Sequence, residues 1–325
     1  MQFWKFYFCT IPLFFIAPNI ALADTFQSSE SYILPITKPL DLDEDKIKLG
    51  RALFHEKRLS SDNSISCAHC HNLASGGVDG LSHSLGVAGA KGSINAPTVY
   101  NAVYNLAQFW DGRAETLEDQ IDHPIKNPVE MAANWPDIIK KLEMDVSYST
   151  WFKNIYGRKG ITSNSIKNAI ATFERSLVTY NAPFDRFLLG DKTAISNDAK
   201  KGYALFQSYG CVSCHQGINV GGNMFQTMGV FGDYFDDRGN ITKADAGRFA
   251  VTGRPKDQHK FKVPSLRLVT LTAPYFHDGS IDNLSEAIQI MARYELGRMI
   301  PDDDIQLIIA FLKTLKGETQ AGGKP

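Results

Sequence analysis

The sequence predicts a mainly α-helical protein with long loops, built from two similar halves. A helix ending in Gly-x-Ala-Leu-Phe precedes a CxxCH motif twice, first within 50–71 and again within 202–215. Each half also contains a later segment whose apolar residues recur every three or four positions, as on one face of a helix. The alternation typical of half-buried strands is nearly absent. We therefore expect an internal duplication at the scale of a domain.

Composition excludes several classes of function. The chain has 325 residues, and 34 Lys+Arg against 35 Asp+Glu give a formal net charge of −1. This balance offers no electrostatic basis for binding nucleic acid or an anionic membrane surface. A hydrophobic fraction of 43% indicates a globular protein. The length is typical of two domains, which we place at 24–187 and 188–325.

Residues 1–23 have the pattern of a secretory signal peptide. One lysine precedes an apolar stretch, and Ala21-Leu22-Ala23 provides a small-residue cleavage site. A membrane anchor is the alternative, but Pro12 and Pro18 interrupt a run that is already short for a bilayer span. Cleavage would remove Cys9 and leave four cysteines. We expect an exported, periplasmic protein without a membrane span after cleavage.

The helices of the two halves can be placed from caps and apolar spacing. The first is predicted over 43–54 with Asp43 as its N-cap, and its counterpart begins after Ser196. In the second half the late helix is predicted to start at the acidic run 302–304 and to end at Gly317. The linker between the halves is predicted within 181–197. The apolar faces of the late helices are Ile166, Ile170, Phe173 and Leu177 in the first half, and Ile305, Ile308, Ile309, Leu312 and Leu315 in the second.

The two CxxCH motifs are the most specific chemical signal. They consist of Cys67, Cys70 and His71 in the first half, and of Cys211, Cys214 and His215 in the second. A zinc site or a redox disulfide would leave both adjacent histidines unexplained, and the βαβ context of a thioredoxin-like motif is missing. Two thiols and a following histidine suit covalent attachment of haem with axial ligation of its iron. We predict two c-type haems ligated by His71 and His215.

The second axial position of each iron decides whether a haem carries electrons or binds a small molecule. Candidate ligands for the second haem are Met224, Met228, Met291 and Met299. Periodicity alone does not select among them. It favours a core-packing role for Met291, which lies on an ordinary apolar helix face.

From about residue 43 to residue 317 the chain resembles the bacterial di-haem cytochrome c peroxidases. The resemblance rests on long strings in addition to CxxCH. These are Ile-Asn-Ala-Pro-Thr-Val-Tyr-Asn at 94–101, Ala-Gln-Phe-Trp-Asp-Gly-Arg-Ala at 107–114, Asn-Pro-Val-Glu-Met at 127–131, Gly-Arg-Phe-Ala-Val-Thr-Gly at 247–253, Lys-Val-Pro-Ser-Leu-Arg at 262–267 and Thr-Ala-Pro-Tyr-Phe-His-Asp-Gly-Ser at 272–280. The resemblance implies two cytochrome c-like domains, each with one covalently bound haem.

The resemblance also implies a division of labour between the haems. The haem on His71 would be the low-potential peroxidatic site. The haem on His215 would take Met291 as its second ligand and accept electrons at high potential. Trp110 matches the tryptophan that lies between the haems. From residue type alone, Trp110 would be a core aromatic.

Further site residues follow from the same resemblance. Gln120 and Glu130 match the polar residues of the peroxide pocket, where a carboxylate of raised pKa can move a proton between the two oxygens. Without the resemblance, Glu130 would be a solvated surface charge. A calcium ion is implied at Asn95, Thr272 and Pro274, whose oxygens are hard ligands of the kind calcium prefers.

One position departs from the family pattern. Many members carry a histidine on the loop after the first CxxCH, and this histidine ligates the peroxidatic iron at rest. Here Val87 takes its place, and valine cannot bind iron. Either the peroxidatic haem is five-coordinate or water-bound at rest, which we favour, or His83 or His123 substitutes as ligand.

The resulting prediction is a cytochrome c peroxidase that reduces hydrogen peroxide to water. Its electrons would come from a small cytochrome c or blue-copper protein, and the resemblance implies a homodimer. One rival is a maturation-type di-haem enzyme that oxidises residues of a partner protein. Such enzymes have an axial tyrosine. Met291 argues against this rival function, whereas Tyr294, one helical turn later, keeps it open. The other rival is a non-enzymatic di-haem electron carrier.

Overall fold

Helices dominate the part of the chain that the structure describes. The computed structural model describes residues 1–2 and 31–319, so nearly all of the predicted signal peptide lies outside the described residues. The described helices are α1 (Glu44–Phe54), α2 (Cys67–Cys70), α3 (Leu117–Lys126), α4 (Trp135–Glu143), α5 (Val146–Tyr156), α6 (Ser163–Ser176), α7 (Pro183–Leu188), α8 (Asn197–Ser208), α9 (Tyr234–Arg238), α10 (Phe249–Thr252), α11 (Leu284–Leu296) and α12 (Asp302–Lys313). The predicted mainly α-helical fold is confirmed.

Strands are short and occur as two antiparallel pairs in the described residues. They are β1 (Thr179–Tyr180), β2 (Phe225–Thr227), β3 (Lys260–Lys262) and β4 (Glu318–Thr319). Strand β1 pairs with β4, so that Thr179 lies opposite Thr319. Strand β2 pairs with β3, so that Gln226 lies opposite Phe261.

Helix α1 forms as its cap and apolar face predict. The carboxylate of Asp43 accepts hydrogen bonds from the backbone amides of Asp45 and Lys46, at 3.0 and 3.1 Å, which satisfies two of the free amides of the first turn. The helix packs against α6 at Gly50, where a side chain would collide with the carbonyl group of Ala169. This close crossing is the reason for glycine within the Gly-x-Ala-Leu-Phe string.

The second half repeats this arrangement with α8 and α12. Ser196 caps α8 by accepting a 3.1 Å hydrogen bond from the amide of Ala199. Gly202 lies where any side chain would collide with the carbonyl group of Leu307 on α12. The two glycines occupy equivalent places in their halves, so the predicted duplication extends to the helix crossings.

The predicted end of the last helix at Gly317 is wrong, because α12 ends at Lys313. The hydroxyl of Thr314 donates a 2.6 Å hydrogen bond to the carbonyl of Phe311, which closes the last turn. Gly317 instead lies against the backbone of Thr179 and Tyr180, where a side chain would not fit. The glycine lets β4 approach β1.

The two larger hydrophobic cores of the described residues lie within one compact unit that runs from Tyr32 onward, and a smaller cluster surrounds Tyr234 and Phe235. The first is built from α1, α3, α4, α5 and α6, and it contains Ile47, Leu53, Phe54, Ile121, Ile166, Ile170 and Phe173. The second is built from α7, α8, α11 and α12, and it contains Phe184, Phe206, Ile305, Ile308, Phe311 and Leu312. Two cores are what two cytochrome c-like domains require. The predicted boundary after residue 187 stays a prediction.

The predicted linker 181–197 contains a helix, α7, in addition to irregular chain. Asp185 on α7 forms a fully buried ion pair with Arg267, at 2.9 Å. Arg267 also donates to the carbonyl groups of Leu34 and Ile218, at 3.1 and 2.7 Å. Arg267 therefore links both Leu34, near the beginning of the described range 31–319, and α7 to the second half. Among the described residues, no helix is long and apolar enough to cross a membrane.

Candidate haem sites

The first CxxCH motif forms a single helical turn, α2, followed directly by its histidine. Cys67 and Cys70 are thiols that are not joined to each other. The ring Nδ1 of His71 lies 3.3 Å from the carbonyl oxygen of Gly77, which favours the tautomer with hydrogen on Nδ1. Burial lowers the pKa of His71, so the imidazole is neutral and its Nε2 is free to bind iron.

The second motif has the same features. Cys211 and Cys214 are separate thiols on a short helical turn. The ring Nδ1 of His215 lies 3.4 Å from the carbonyl oxygen of Val220. Burial lowers the pKa of His215 to about 4. Both motifs therefore offer two thiols for thioether bonds and one oriented, neutral imidazole, which is the donor set that a c-type haem needs.

The carbonyl groups near the two histidines are positioned by equivalent hydroxyl groups. Thr98 donates to the carbonyl oxygen of Gly76 at 2.6 Å, and Ser265 donates to that of Asn219 at 2.7 Å. Gly76 directly precedes Gly77, whose carbonyl oxygen lies next to His71. Asn219 likewise precedes Val220, whose carbonyl oxygen lies next to His215. These hydroxyls fix the loop that holds each imidazole.

This equivalence extends along the chain without insertion or deletion, so that residues 97–124 correspond one to one to residues 264–291. In both copies a phenylalanine has a positive φ, 68° at Phe109 and 69° at Phe276. An Asp-Gly pair follows in each copy, and α3 and α11 then begin at equivalent positions. In this register, Pro124 on α3 occupies the place that Met291 occupies on α11.

A cavity of about 510 Å³ adjoins the second motif. Cys211, Cys214 and His215 line it, and Met291 lines it from α11. The cavity is mostly apolar, as expected of a cofactor site. Of the other candidate ligands, Met228 also lines the cavity, whereas Met299 is 64% exposed.

The chain beside α3 carries the polar residues predicted for the peroxide pocket. The backbone amide of Met131 donates to the carbonyl oxygen of Pro124 at 3.1 Å, which folds the loop back onto the helix. On this loop, Asn127 donates a 2.6 Å side-chain hydrogen bond to Glu130. Burial raises the pKa of Glu130, although Asn127 and Arg113 partly oppose it. Gln120 lies one turn before Pro124, on the same face of α3.

Val87 is packed against this loop and is 8% exposed. Its backbone amide donates to the carbonyl oxygen of Glu130 at 2.8 Å. The neighbouring Gly86 lies so close to Val129 that a side chain would collide with its carbonyl group. The loop that carries Val87 therefore lies directly on the segment that carries Glu130.

Comparison with known proteins identifies the family. Residues 44–193 match the family model described as di-haem cytochrome c peroxidase. The cytochrome c551 peroxidase of Nitrosomonas europaea is 45% identical over 286 residues, which cover 88% of this chain and 84% of that protein. The chain belongs to the di-haem cytochrome c peroxidase family.

Two further comparisons agree with this assignment. The cytochrome c peroxidase of Escherichia coli is 49% identical over 286 residues, and the match spans 88% of this chain but only 61% of that longer protein. A crystal structure of a MauG-like protein associated with microbial copper homeostasis has a TM-score of 0.75 and 28% identity, covering 89% of this chain and 95% of that one. A di-haem family implies two c-type haems, and the two CxxCH motifs are the groups that would hold them.

In this peroxidase-family chain, Trp110 lies on the wall of the cavity beside the second CxxCH motif, which we call the second cavity. Its indole nitrogen donates to the carbonyl oxygen of Asn95 at 3.0 Å. Its ring meets the imidazole of His277 edge to face, with centroids 6.4 Å apart. His277 is the residue equivalent to Trp110 in the other copy.

The residues predicted to bind calcium, Asn95, Thr272 and Pro274, all line the same cavity. Asn95 is 7% exposed, and its side-chain amide donates to the carbonyl oxygen of Leu81 at 3.0 Å. The hydroxyl of Thr272 donates to the carbonyl oxygen of Val269 at 3.3 Å. The calcium ion stays a prediction.

A different group of potential ligands lies nearby. Asp245, His277 and Asp278 have ligand atoms close together. However, the guanidinium group of Arg238 lies 2.8 Å from Asp245 and 2.6 Å from Asp278. Asp245 also accepts a 2.7 Å hydrogen bond from His277. Because an arginine already compensates both carboxylates, this cluster does not need a metal ion.

Sequence reasoning missed two features of the sites. The first is Pro124, whose equivalence to Met291 appears only once the second repeat is aligned over its loops. The second is Lys262, which is 7% exposed and lines the cavity. The string 262–267 was recognised, but nothing in it signals that its lysine is buried.

Proposed function

We propose that this chain reduces hydrogen peroxide to water in the periplasm, with two electrons from a small donor such as a cytochrome c or a blue-copper protein. The observation that carries this proposal is a difference between equivalent helices. Where α11 directs Met291 towards its cavity, α3 has Pro124, which has no iron-binding atom. One site is thus suited to electron transfer and the other to a small ligand.

Glu130 would move the proton. When bound, haem iron supplies the electrons that break the O–O bond. The carboxylate of Glu130 takes the proton from one oxygen of peroxide and gives it to the other, so that this oxygen leaves as water. Asn127 holds the carboxylate in place through its 2.6 Å hydrogen bond. Two electrons and two further protons complete the conversion of one peroxide to two waters.

Gln120 and Trp110 would serve binding and electron transfer. Gln120 projects from the same face of α3 as Pro124, where its amide can hydrogen-bond peroxide. Trp110 provides a fixed aromatic ring beside the second cavity, because its indole nitrogen is bonded to the carbonyl group of Asn95. A fixed ring keeps the electron path between the two sites at a constant length.

We infer that the peroxidatic iron has no distal histidine at rest. Val87 and its neighbours hydrogen-bond and pack against the Glu130 segment, so the loop is already docked. His83 lies on this loop with its Nδ1 3.2 Å from the hydroxyl of Ser82. His123 is exposed and packs edge to face against Phe109, with ring centroids 5.0 Å apart. Binding of either histidine to iron would require it to leave these neighbours.

Spectra of the purified protein test both the activity and the resting state. We expect a high-spin component in the fully oxidised form and immediate reaction with peroxide without prior reduction. A strictly low-spin oxidised spectrum, with reaction only after half-reduction, would contradict the open site. No oxidation of a reduced cytochrome c by peroxide would favour a plain electron carrier.

The maturation-type alternative depends on an axial tyrosine, and Tyr294 is the candidate. Its hydroxyl group donates to Asp237 at 2.7 Å, and its ring packs against Tyr234. Met291, by contrast, lines the cavity. These contacts support methionine ligation and hence the peroxidase. The calcium ion and the homodimer remain predictions that metal analysis and light scattering can check.

A further inference from the structure

Lys262, on β3, is a buried cation at the second cavity. It is 7% exposed and lines the cavity beside Trp110. Its backbone amide donates to the carbonyl oxygen of Trp110 at 2.7 Å, which fixes this part of the strand. Lysine is almost never buried unless its charge is paired.

Among residues 31–319, no carboxylate forms an ion pair with the Lys262 ammonium group. Desolvation lowers the pKa of Lys262 to about 8, with no carboxylate close enough to oppose it. Lys260, two residues earlier on β3, illustrates the usual arrangement, because its ammonium group lies 3.0 Å from Asp257. An isolated buried ammonium group is costly unless an anion joins it.

The charged residues that line the cavity occupy different surroundings. Among the described lining residues, Lys262 is the one with a basic lysine or arginine side chain and Glu295 the one with a carboxylate side chain. Glu295 accepts a 2.6 Å hydrogen bond from the amide of Gly229 and raises the pKa of Cys214. Lys262 lines the cavity at Trp110, whose carbonyl oxygen accepts from its backbone amide. The acidic residue is thus near a thioether position and the lysine is near Trp110.

This distribution matches the chemistry of haem. A c-type haem is attached through one edge of its ring, and its two propionate carboxylates extend from the opposite edge. A haem bonded to Cys211 and Cys214 would therefore carry its anions away from the cysteines. We propose that Lys262 binds a propionate of this second haem and so holds a positive charge beside it.

The expected consequence concerns the reduction potential. Reduction lowers the charge on the iron by one, so a nearby cation favours the reduced form. Lys262 therefore helps to keep the second haem at high potential, in addition to the axial methionine. The inference rests on the proposed second haem but not on peroxide chemistry.

Equilibrium redox titration of the haem-loaded full chain tests the inference. In Lys262→Met, the midpoint potential of the second haem is expected to fall, while the absorption band of methionine-ligated ferric haem remains. Lys262→Arg keeps the charge and is expected to stay close to the wild type. Lys260→Met, on the same strand, is the matched control and should leave both potentials unchanged.

Several outcomes would overturn the inference. An unchanged potential in a fully loaded Lys262→Met protein would do so, as would equal shifts in the methionine and arginine variants. If Lys262→Met does not take up haem, Lys262→Gln is compared with Lys262→Arg, and equal potentials again count against the ion pair. A potential that falls as expected in a protein without peroxidase activity would support Lys262 and reject the proposed function.

Discussion

The two haem sites are alike on one side and different on the other. On the histidine side, each half crosses two helices at a glycine, Gly50 or Gly202, and positions its imidazole next to a backbone carbonyl group. On the opposite side, α11 offers Met291 and α3 offers Pro124. The scaffold that presents the histidine is thus repeated, while the equivalent helices α3 and α11 differ at most positions, with Pro124 on one where Met291 stands on the other.

Replacing Glu130, the proposed proton carrier, should have the largest effect on the reactivity of the first site. Glu130→Gln keeps the shape but cannot accept a proton, and we expect kcat/KM for peroxide to fall by roughly 10²- to 10⁴-fold, the range of general acid–base catalysis. Stopped-flow reaction of the oxidised protein with peroxide measures this. Glu143→Gln, at an exposed position of α4, is the control. A loss below tenfold would show that another group moves the proton.

The repeated side should respond equally in both halves. Gly50→Ala and Gly202→Ala each place a methyl group against a helix carbonyl, and overpacking of this kind costs about 1–3 kcal/mol of unfolding free energy. Chemical denaturation of each variant measures the cost. Gly190→Ala is the control for steric collision, because a side chain at this position meets nothing within 4 Å. Its φ of 108° is unfavourable for alanine, so this variant also measures the cost of the backbone conformation alone. If only one of the two variants loses stability, the two helix crossings are not equivalent in their contribution to the free energy of unfolding.

Removing the methionine should make the two sites more alike. In Met291→Ala the second haem is expected to lose its methionine band and its high potential. Donor-dependent turnover should fall by about tenfold for each 1.4 kcal/mol that the lower potential adds to the activation barrier for electron transfer. Met299→Ala changes an exposed methionine instead. Retention of the methionine band in Met291→Ala would identify a different ligand, with Met228 the first to test.

The smallest expected effect concerns the pH profile. Asn127 hydrogen-bonds the Glu130 carboxylate and lowers its pKa against the effect of burial. In Asn127→Ala the pKa should therefore rise further. Because the carboxylate is the active form, the acid limb of kcat/KM should move to higher pH, by up to about one unit. A double variant with Glu130→Gln should lose this limb, and a limb that persists would belong to another group.

Much of this architecture could be predicted from the sequence, for identifiable reasons. The cap at Asp43, the apolar spacing of α6 and the CxxCH motifs are local signals, and each predicted element was found. The end of α12 was misplaced because a glycine that follows an apolar helical pattern is typical of a helix C-terminus. Gly317 instead allows β4 to approach β1 closely. Local pattern cannot distinguish these two uses of glycine.

The features that sequence reasoning missed depend on contacts between distant segments. The match of 97–124 to 264–291 runs through loops in which few residues are identical, so no periodicity reveals it. The burial of Lys262 depends on strand pairing with β2. The docking of Val87 on the Glu130 segment joins residues about forty positions apart. Such features need the folded chain.

Two backbone hydrogen bonds join the two copies at equivalent positions. The amide of Asn95 donates to His277 at 2.8 Å, and the equivalent amide of Lys262 donates to Trp110 at 2.7 Å. Each copy therefore completes the other, because a half produced alone would lose the bonding partner of both of these groups. The copies are complementary fragments: a chain cut within the exposed turn at 190–193 should stay assembled, and separately made halves should recombine.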